Sequence, residues 1–407
     1  SPPAASSPPA AGAPSPPAAS SPPAERGDSP LGALVRARLA DSLHFADAPE
    51  RTFALSKAAL EMARRTGDPE ALVAALQSRH AALLHISHLD ERLVLDEEIL
   101  ALAERVGVRE LEALGRHWRI YDLLEAGSTA EARAEHAALG QLAEQLRQPL
   151  YRHFARGWEV VWAQMSGRVA EAERLARDAH ELGQRAQSRD ADTIYAAQLL
   201  TLRRREDRLA EYVSTIETFV ERHPALVAWR AALPLAHLLN GEREEGEASF
   251  EELVEDDFAA VPLDMFWFTA TCVLAEACSH LGDAIRARQL HAQLLPYRDR
   301  MVQVTQAACF GSAERFLGLL AATFGDIDLA SEHFEAALAL NARRGVLPLI
   351  PFIRVEYAQR LLARGRGSDA ERARELLVTA YREAETAGIA MLVARLKPLL
   401  DATGAVA

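Results

Sequence analysis

The sequence predicts an all-α chain: a right-handed superhelical solenoid of about nine stacked helical hairpins over residues 31–401, closed by a capping helix from Ala390 to Leu400. Three observations predict it. From residue 31 onward apolar residues recur at spacings of three and four, and no β-type alternation persists. Gly or Asp breaks fall about every seventeen residues, which punctuates helix after helix. Several segments superimpose when aligned on the turn glycine, so the helices come in pairs of one design. Composition agrees: 49% of the 407 residues are hydrophobic but only 6% aromatic, and Ala, Leu, Arg and Glu are strong helix formers. One hairpin cannot stand alone. Ordering its residues costs on the order of 50 kcal/mol, about what its own buried apolar area offsets, so stacked neighbours must supply the margin.

Residues 1–30 repeat an SPPAAS unit and hold ten of the chain's twenty prolines. Proline fixes φ and lacks an amide donor, so this segment reads as an extended, disordered linker, and residues 402–407 as a short disordered tail. No charged n-region precedes an apolar stretch, and no later run of eighteen apolar residues would span a bilayer. A chain that opens on a linker without an initiating Met reads as the carboxy-terminal portion of a longer protein, or as one carrying an added tag.

The repeat frame is clearest from Gly311. In GSAERFLGLLAATFGDIDLASEHFEAALALNARR, Leu317, Gly318 and Ala321 share a face of a first helix, Gly325-Asp326 makes the turn, and Ala330, Phe334 and Ala337 share a face of a second. Small residues at Gly318 and Ala330 let the two helices cross closely, while Leu317 and Phe334 fill the remaining space. The frame recurs with Leu274, Ala275, Cys278, turn Gly282, Ala287 and Leu294. It returns around turns at Gly127 with Ala132 and Leu139, Gly167 with Ala172, Ala176 and Ala179, and Gly241 with Phe250 and Leu253. A degenerate copy has Tyr357, Ala358 and Leu361, a lengthened GRGSD loop, then Ala373, Leu377 and Ala380.

Those offsets resemble the tetratricopeptide repeat, a helical hairpin of the same length. Longer stretches, among them LDERLVLDEEILALAERVGVRELEALGRHWRIYDLLEAG, AERLARDAHELG and ARELLVTAYREAETAGI, resemble the repeat-built sensor region of bacterial signal-transducing ATPase regulators of the MalT-like and adenylate-cyclase-like kind, and related kinase-ATPase proteins. The resemblance covers everything after residue 30. It implies a sensor region preceded by an ATPase or kinase domain and linked to an effector. No ATPase is read in these residues, because the only lysines, Lys57 and Lys397, lie in no phosphate-binding loop.

Catalytic chemistry is not visible. There is no nucleophile elbow, no distinct carboxylate pair among 58 acidic residues and no glycine-rich phosphate loop, so no enzyme activity and no cofactor is expected. His85 and His88 sit near Asp90, but the polar end of a helix is the simpler account than a metal site, and no metal ligand set is assigned. Cys278, Ser279, His280 and His291 invite a thiol or metal reading, against which Cys278 occupies a tightly packed repeat position. Arg203, Arg204 and Arg205 offer an anion clamp, but the adjoining acids make them a solvated turn. Trp158, Trp162, Trp229 and Trp267 read as core. The cysteines Cys272, Cys278 and Cys309 are too few for a disulfide scaffold and suit a reducing, cytoplasmic setting.

The informative surface is the inner lining of the solenoid. The frame places Leu114, His117, Tyr121 and Leu124 there, then Phe154, Val161 and Gln164, then Ile194, Thr201 and Arg204 if Asp207 is the turn, and later Leu235, Leu238, Glu276, His280, Arg315 and Gln359. Of these, Leu114, His117, Tyr121, Phe154, Val161, Gln164, Ile194 and Arg204 are the expected ligand-binding residues. Apolar and aromatic groups mixed with isolated polar ones suit an amphipathic or extended peptide. Lys+Arg 45 against Asp+Glu 58 gives 45 − 58 = −13, which opposes direct nucleic-acid contact. The expected function is a non-catalytic sensor and protein-interaction module that holds a partner peptide or protein in its concave groove and regulates a linked effector. A small-molecule-sensing region of a transcriptional regulator and a free-standing adaptor are the alternatives.

Overall fold

The computed structural model describes residues 27–43, 49–206, 208–224 and 226–401. Residues 1–26 and 402–407, assigned above to a linker and a tail, lie outside the described residues, as does Asp207, the expected turn of one repeat. The described residues form nineteen α-helices and one two-stranded β-hairpin, so the chain is all-α in its main architecture. It divides into two compact units, residues 1–79 and 80–407.

The first unit holds α1 (Pro30–Leu43), α2 (Pro49–Thr66) and most of α3 (Pro69–Ala82). Each helix opens on proline, whose fixed φ suits the first turn and whose missing N–H is unneeded there. Ser29 Oγ accepts from Gly32 N at 3.0 Å and Asp68 Oδ1 from Ala71 N at 2.9 Å, capping α1 and α3. The predicted linker therefore ends before residue 30: Asp28 is ion-paired to Arg65 at 2.7 Å, and Pro30 is already helical.

The second unit continues with α4 (Leu89–Val106), α5 (Arg109–Ala126), α6 (Thr129–Leu146), α7 (Pro149–Met165), α8 (Val169–Arg185) and α9 (Ala191–Arg205). A 3-10 turn over Leu209–Tyr212 leads to α10 (Val213–Arg222), α11 (Val227–Asn240), α12 (Arg243–Phe258), α13 (Trp267–Leu281) and α14 (Ala284–Leu294). Strands β1 (Met301–Val304) and β2 (Ala308–Ser312) precede α15 (Ala313–Thr323), α16 (Ile327–Arg344), α17 (Ile350–Arg364), α18 (Asp369–Thr386) and α19 (Ala390–Asp401).

Consecutive helices pack as hairpins at the expected turns. Gly127, Gly167, Gly241, Gly282 and Gly325 all take positive φ, between 75° and 92°, where glycine has no Cβ penalty. Asp283 and Asp326 cap the helices that follow two of them, accepting from backbone N–H groups at 3.0 Å. The small-and-large rule holds in atomic terms at α15 and α16: a Cβ on Gly318 would sit 3.0 Å from the Phe334 ring, and Phe334 is fully buried. Ala132, Leu139, Ala172, Ala176, Phe250, Leu274, Ala287, Ala373 and Ala380 are likewise buried.

Two features depart from the expected pattern. The first helix of the Gly311 repeat starts at Ala313, because Gly311 and Ser312 end β2. The antiparallel hairpin pairs Met301 with Ser312 and Val304 with Ala308, with a bulge after Val302 that leaves Phe310 as the extra residue. The second departure is at α9 and α10. Among the described residues α9 packs on α8 and α10 on α11, but the two do not pair along their lengths. No helix of the described residues is long and apolar enough to cross a membrane.

Candidate functional site

The hairpin decides what becomes of the predicted lining. Met301, Val302, Gln303, Gln306, Ala307, Ala308 and Cys309 are all buried, and β1 and β2 pack on α5, α7, α9 and α13. An extended chain carries carbonyls into this interior that need partners, and side-chain amides and a hydroxyl meet them. Gln164 Nε2 donates to Ala307 O at 3.1 Å, Gln198 Nε2 to Gln306 O at 2.8 Å, and Thr269 Oγ1 to Gln303 O at 3.1 Å. Gly157 makes room for the tip: a Cβ there would lie 2.6 Å from Gln306 Cγ.

Several of the predicted lining residues are thus engaged within the unit. Val161 and Gln164 are fully buried. His117 stacks on Phe154, with ring centroids 4.1 Å apart, and its Nδ1 accepts from Trp158 Nε1 at 3.1 Å. Burial, with His153 and His80 adding repulsion, lowers the His117 imidazole to about 3, so it is neutral. Tyr121 is buried and donates to Glu125 Oε1 at 2.9 Å. Leu124, Leu235 and Thr201 are buried, while Leu114, Phe154, Ile194 and Leu238 are half-buried. His280 and Gln359 are exposed.

The polar members form an ionic chain. Glu276 joins Arg204 and Arg315, the latter at 2.9 Å, and Arg315 Nε continues to Glu356 Oε2 at 2.9 Å. Burial works against the Glu276 carboxylate, but Arg204 and Arg315 outweigh it and hold its pKa well below the usual range. The Arg203–Arg205 run is accordingly not a solvated turn. Arg203 pairs with Glu173 at 2.7 Å and Glu206 at 2.9 Å, Arg204 lies over the Phe310 ring, and Arg205 donates to Gln164 O. Burial pushes the Arg205 guanidinium down to about 10.

Other sequence candidates separate. His85 Nδ1 accepts from Ser87 N at 3.2 Å, and the His85 and His88 rings stand 6.3 Å apart. Cys278 is fully buried with its Sγ 3.3 Å from Asp283 O, whereas His291 faces His333 at 3.1 Å. All three cysteines are free and buried. Trp158, Trp162, Trp229 and Trp267 are buried.

What the structure does present is an open cleft where α9 and α10 fail to pair. Its volume is about 240 Å³, and Tyr195, Leu199, Tyr212, Phe219 and Trp229 make an almost wholly apolar lining. Phe219 stacks on Trp229 at 4.6 Å between centroids, and Tyr195 on His180 at 4.5 Å. The rim is polar: Asp192 Oδ1 lies 2.7 Å from His180 Nε2 and accepts from Gln184 Nε2 at 2.6 Å. Arg203 Nε donates to the Tyr212 hydroxyl at 3.1 Å and so fixes one wall. Sequence reasoning missed Tyr195, Tyr212 and Phe219. Their only signal is an excess of rings around a break in a chain that is otherwise 6% aromatic.

Comparison with known protein families gives no match, and comparison with curated proteins gives none either.

Proposed function

We propose that this chain is a non-catalytic sensor and protein-interaction module built on tetratricopeptide-like hairpins stacked as a solenoid. In this reading it takes an apolar or aromatic anchor side chain of a partner peptide into the cleft bounded by α8 to α11, and occupancy is relayed to a linked effector. The predicted inner lining serves as the scaffold that holds the cleft helices, and the partner does not enter it.

The cleft itself carries this reading. Soluble proteins fill or cover stacked aromatic walls, so rings left around open space mark a place for a ligand group. Size favours an anchor: about 240 Å³ is smaller than the roughly 300–1,000 Å³ of sites that enclose a whole small molecule. The polar rim at His180, Gln184 and Asp192 suits the backbone amides that flank such an anchor.

Selection of a randomised displayed peptide library on the immobilised chain tests it. Enriched peptides share one aromatic or large aliphatic anchor, and their affinity falls at least about 10-fold in Tyr195→Ala, as a 1.4 kcal/mol hot-spot loss requires. Enrichment of peptides without such an anchor, or equal binding by Tyr195→Ala, rejects the cleft.

A further inference from the structure

We propose that His80, Asp96 and Asp122 form a buried site for one divalent first-row transition-metal ion that fastens the start of the second unit. The three side chains come from successive helices, α3, α4 and α5, and one ligand atom from each lies within 4.8 Å of the others. All three residues are buried, at 3%, 0% and 0% exposure. Two carboxylates and an imidazole are a donor set for Zn²⁺, Co²⁺, Mn²⁺ or Fe²⁺.

Asp96 points to the ligand independently. Both of its carboxylate oxygens are buried without a hydrogen-bond partner, a costly condition for an ionised group in a dry interior. The nearest donor, His80 Nε2, carries at most one proton and lies closer to Asp122 Oδ2, at 2.9 Å, than to Asp96 Oδ1, at 3.3 Å. A tetrahedral ion with bonds of about 2.0–2.2 Å holds its donors roughly 3.3–3.6 Å apart, near the spacing already present at Asp96. His80 Nε2, Asp122 Oδ2 and one Asp96 oxygen supply three donor atoms, the number a protein brings to a metal site whose fourth position is open.

Charge leads to the same conclusion. Arg92 is buried here and binds Asp122 Oδ1 and Glu125, so the cluster holds one positive and three negative groups when His80 is neutral. A divalent ion brings that sum from −2 to zero, whereas one proton on His80 leaves −1. Arg92 holds the far oxygen of Asp122 and turns Oδ2 toward the other donors, the supporting role that ligating carboxylates need. Because these donors bind a metal only when deprotonated, metal affinity falls as pH is lowered.

The test strips the full chain with chelator, removes the chelator and titrates with Co²⁺. One equivalent bound, with visible d–d absorption displaced by Zn²⁺, is the expected result. X-ray absorption of the loaded wild-type chain then shows one imidazole among oxygen donors, and Asp96→Asn weakens binding by at least about 100-fold. No uptake of Co²⁺ or Zn²⁺ by the stripped chain overturns the proposal. So does a shell containing sulfur or lacking imidazole, which stands even if Asp96→Asn fails to fold.

Discussion

The two faces of α9 end in opposite surroundings. One face directs Gln198, Thr201 and Arg205 inward, where Gln198 and Arg205 bond Gln306 O and Gln164 O. The other presents Tyr195, Ala196 and Leu199 to the open cleft. A polar face that meets main-chain carbonyls is satisfied and has no capacity left for a partner. An apolar face only partly covered by its neighbours keeps unburied area, and such area favours association. Residue types that look suited to peptide binding, such as Gln164 and Gln198, are therefore used by the chain's own hairpin, and the proposed binding site lies where one helix pair fails to close.

The largest effect expected in breaking this contrast is in the closed region. Tyr121→Ala removes a buried ring and one donor to Glu125, and lowers unfolding free energy by about 3–5 kcal/mol in denaturant titration. A Tyr121→Ala chain of unchanged stability returns Tyr121 to the role of an open groove residue.

Acid comes next. His117 is held near 3 while the unfolded chain titrates near 6.5, so between those values the unfolded state binds the proton first and stability falls as pH falls. Its contribution is complete above about pH 6.5 and gone below about pH 3, a loss of up to about 5 kcal/mol. His117→Gln keeps an acceptor for Trp158 Nε1 without titrating, and flattens the pH dependence of unfolding over that window. Equal slopes in the two chains refute a neutral, buried His117.

Much of the fold was legible because the repeat frame records steric needs locally. Gly318 against Phe334, and turns at Gly127, Gly167, Gly241, Gly282 and Gly325, follow from one residue each. The hairpin was not legible. Its strands of four and five residues are too short to show a period, only Val302 and Val304 alternate, and its turn at Thr305 (φ 35°) uses no Asn-Gly pair. What covers Gln164 lies 143 residues further along the chain, beyond any local pattern. The cleft depends on α9 and α10 not pairing, a tertiary outcome to which the pattern of turn glycines is blind.

Gln198→Ala sharpens the contrast more gently. It leaves Gln306 O buried without its donor and costs about 1–3 kcal/mol, without changing affinity for a cleft-binding peptide. A fall in affinity larger than the fall in stability places the ligand at the hairpin. The smallest stability effect is expected at the cleft mouth, where Thr215 is exposed. Thr215→Trp changes unfolding by no more than about 0.5 kcal/mol yet blocks peptide entry. Undiminished binding by this variant removes the cleft from the account.

Amide hydrogen exchange of the full chain, with and without a selected anchor peptide, separates the two regions most directly. The expected result is new protection confined to Ala191–Arg205 and Val213–Trp229, with the already slow amides of Met301–Ser312 unchanged. Faster exchange across Met301–Ser312 on peptide addition, with α9 and α10 unaffected, contradicts it and shows the partner displacing the hairpin from the inner lining.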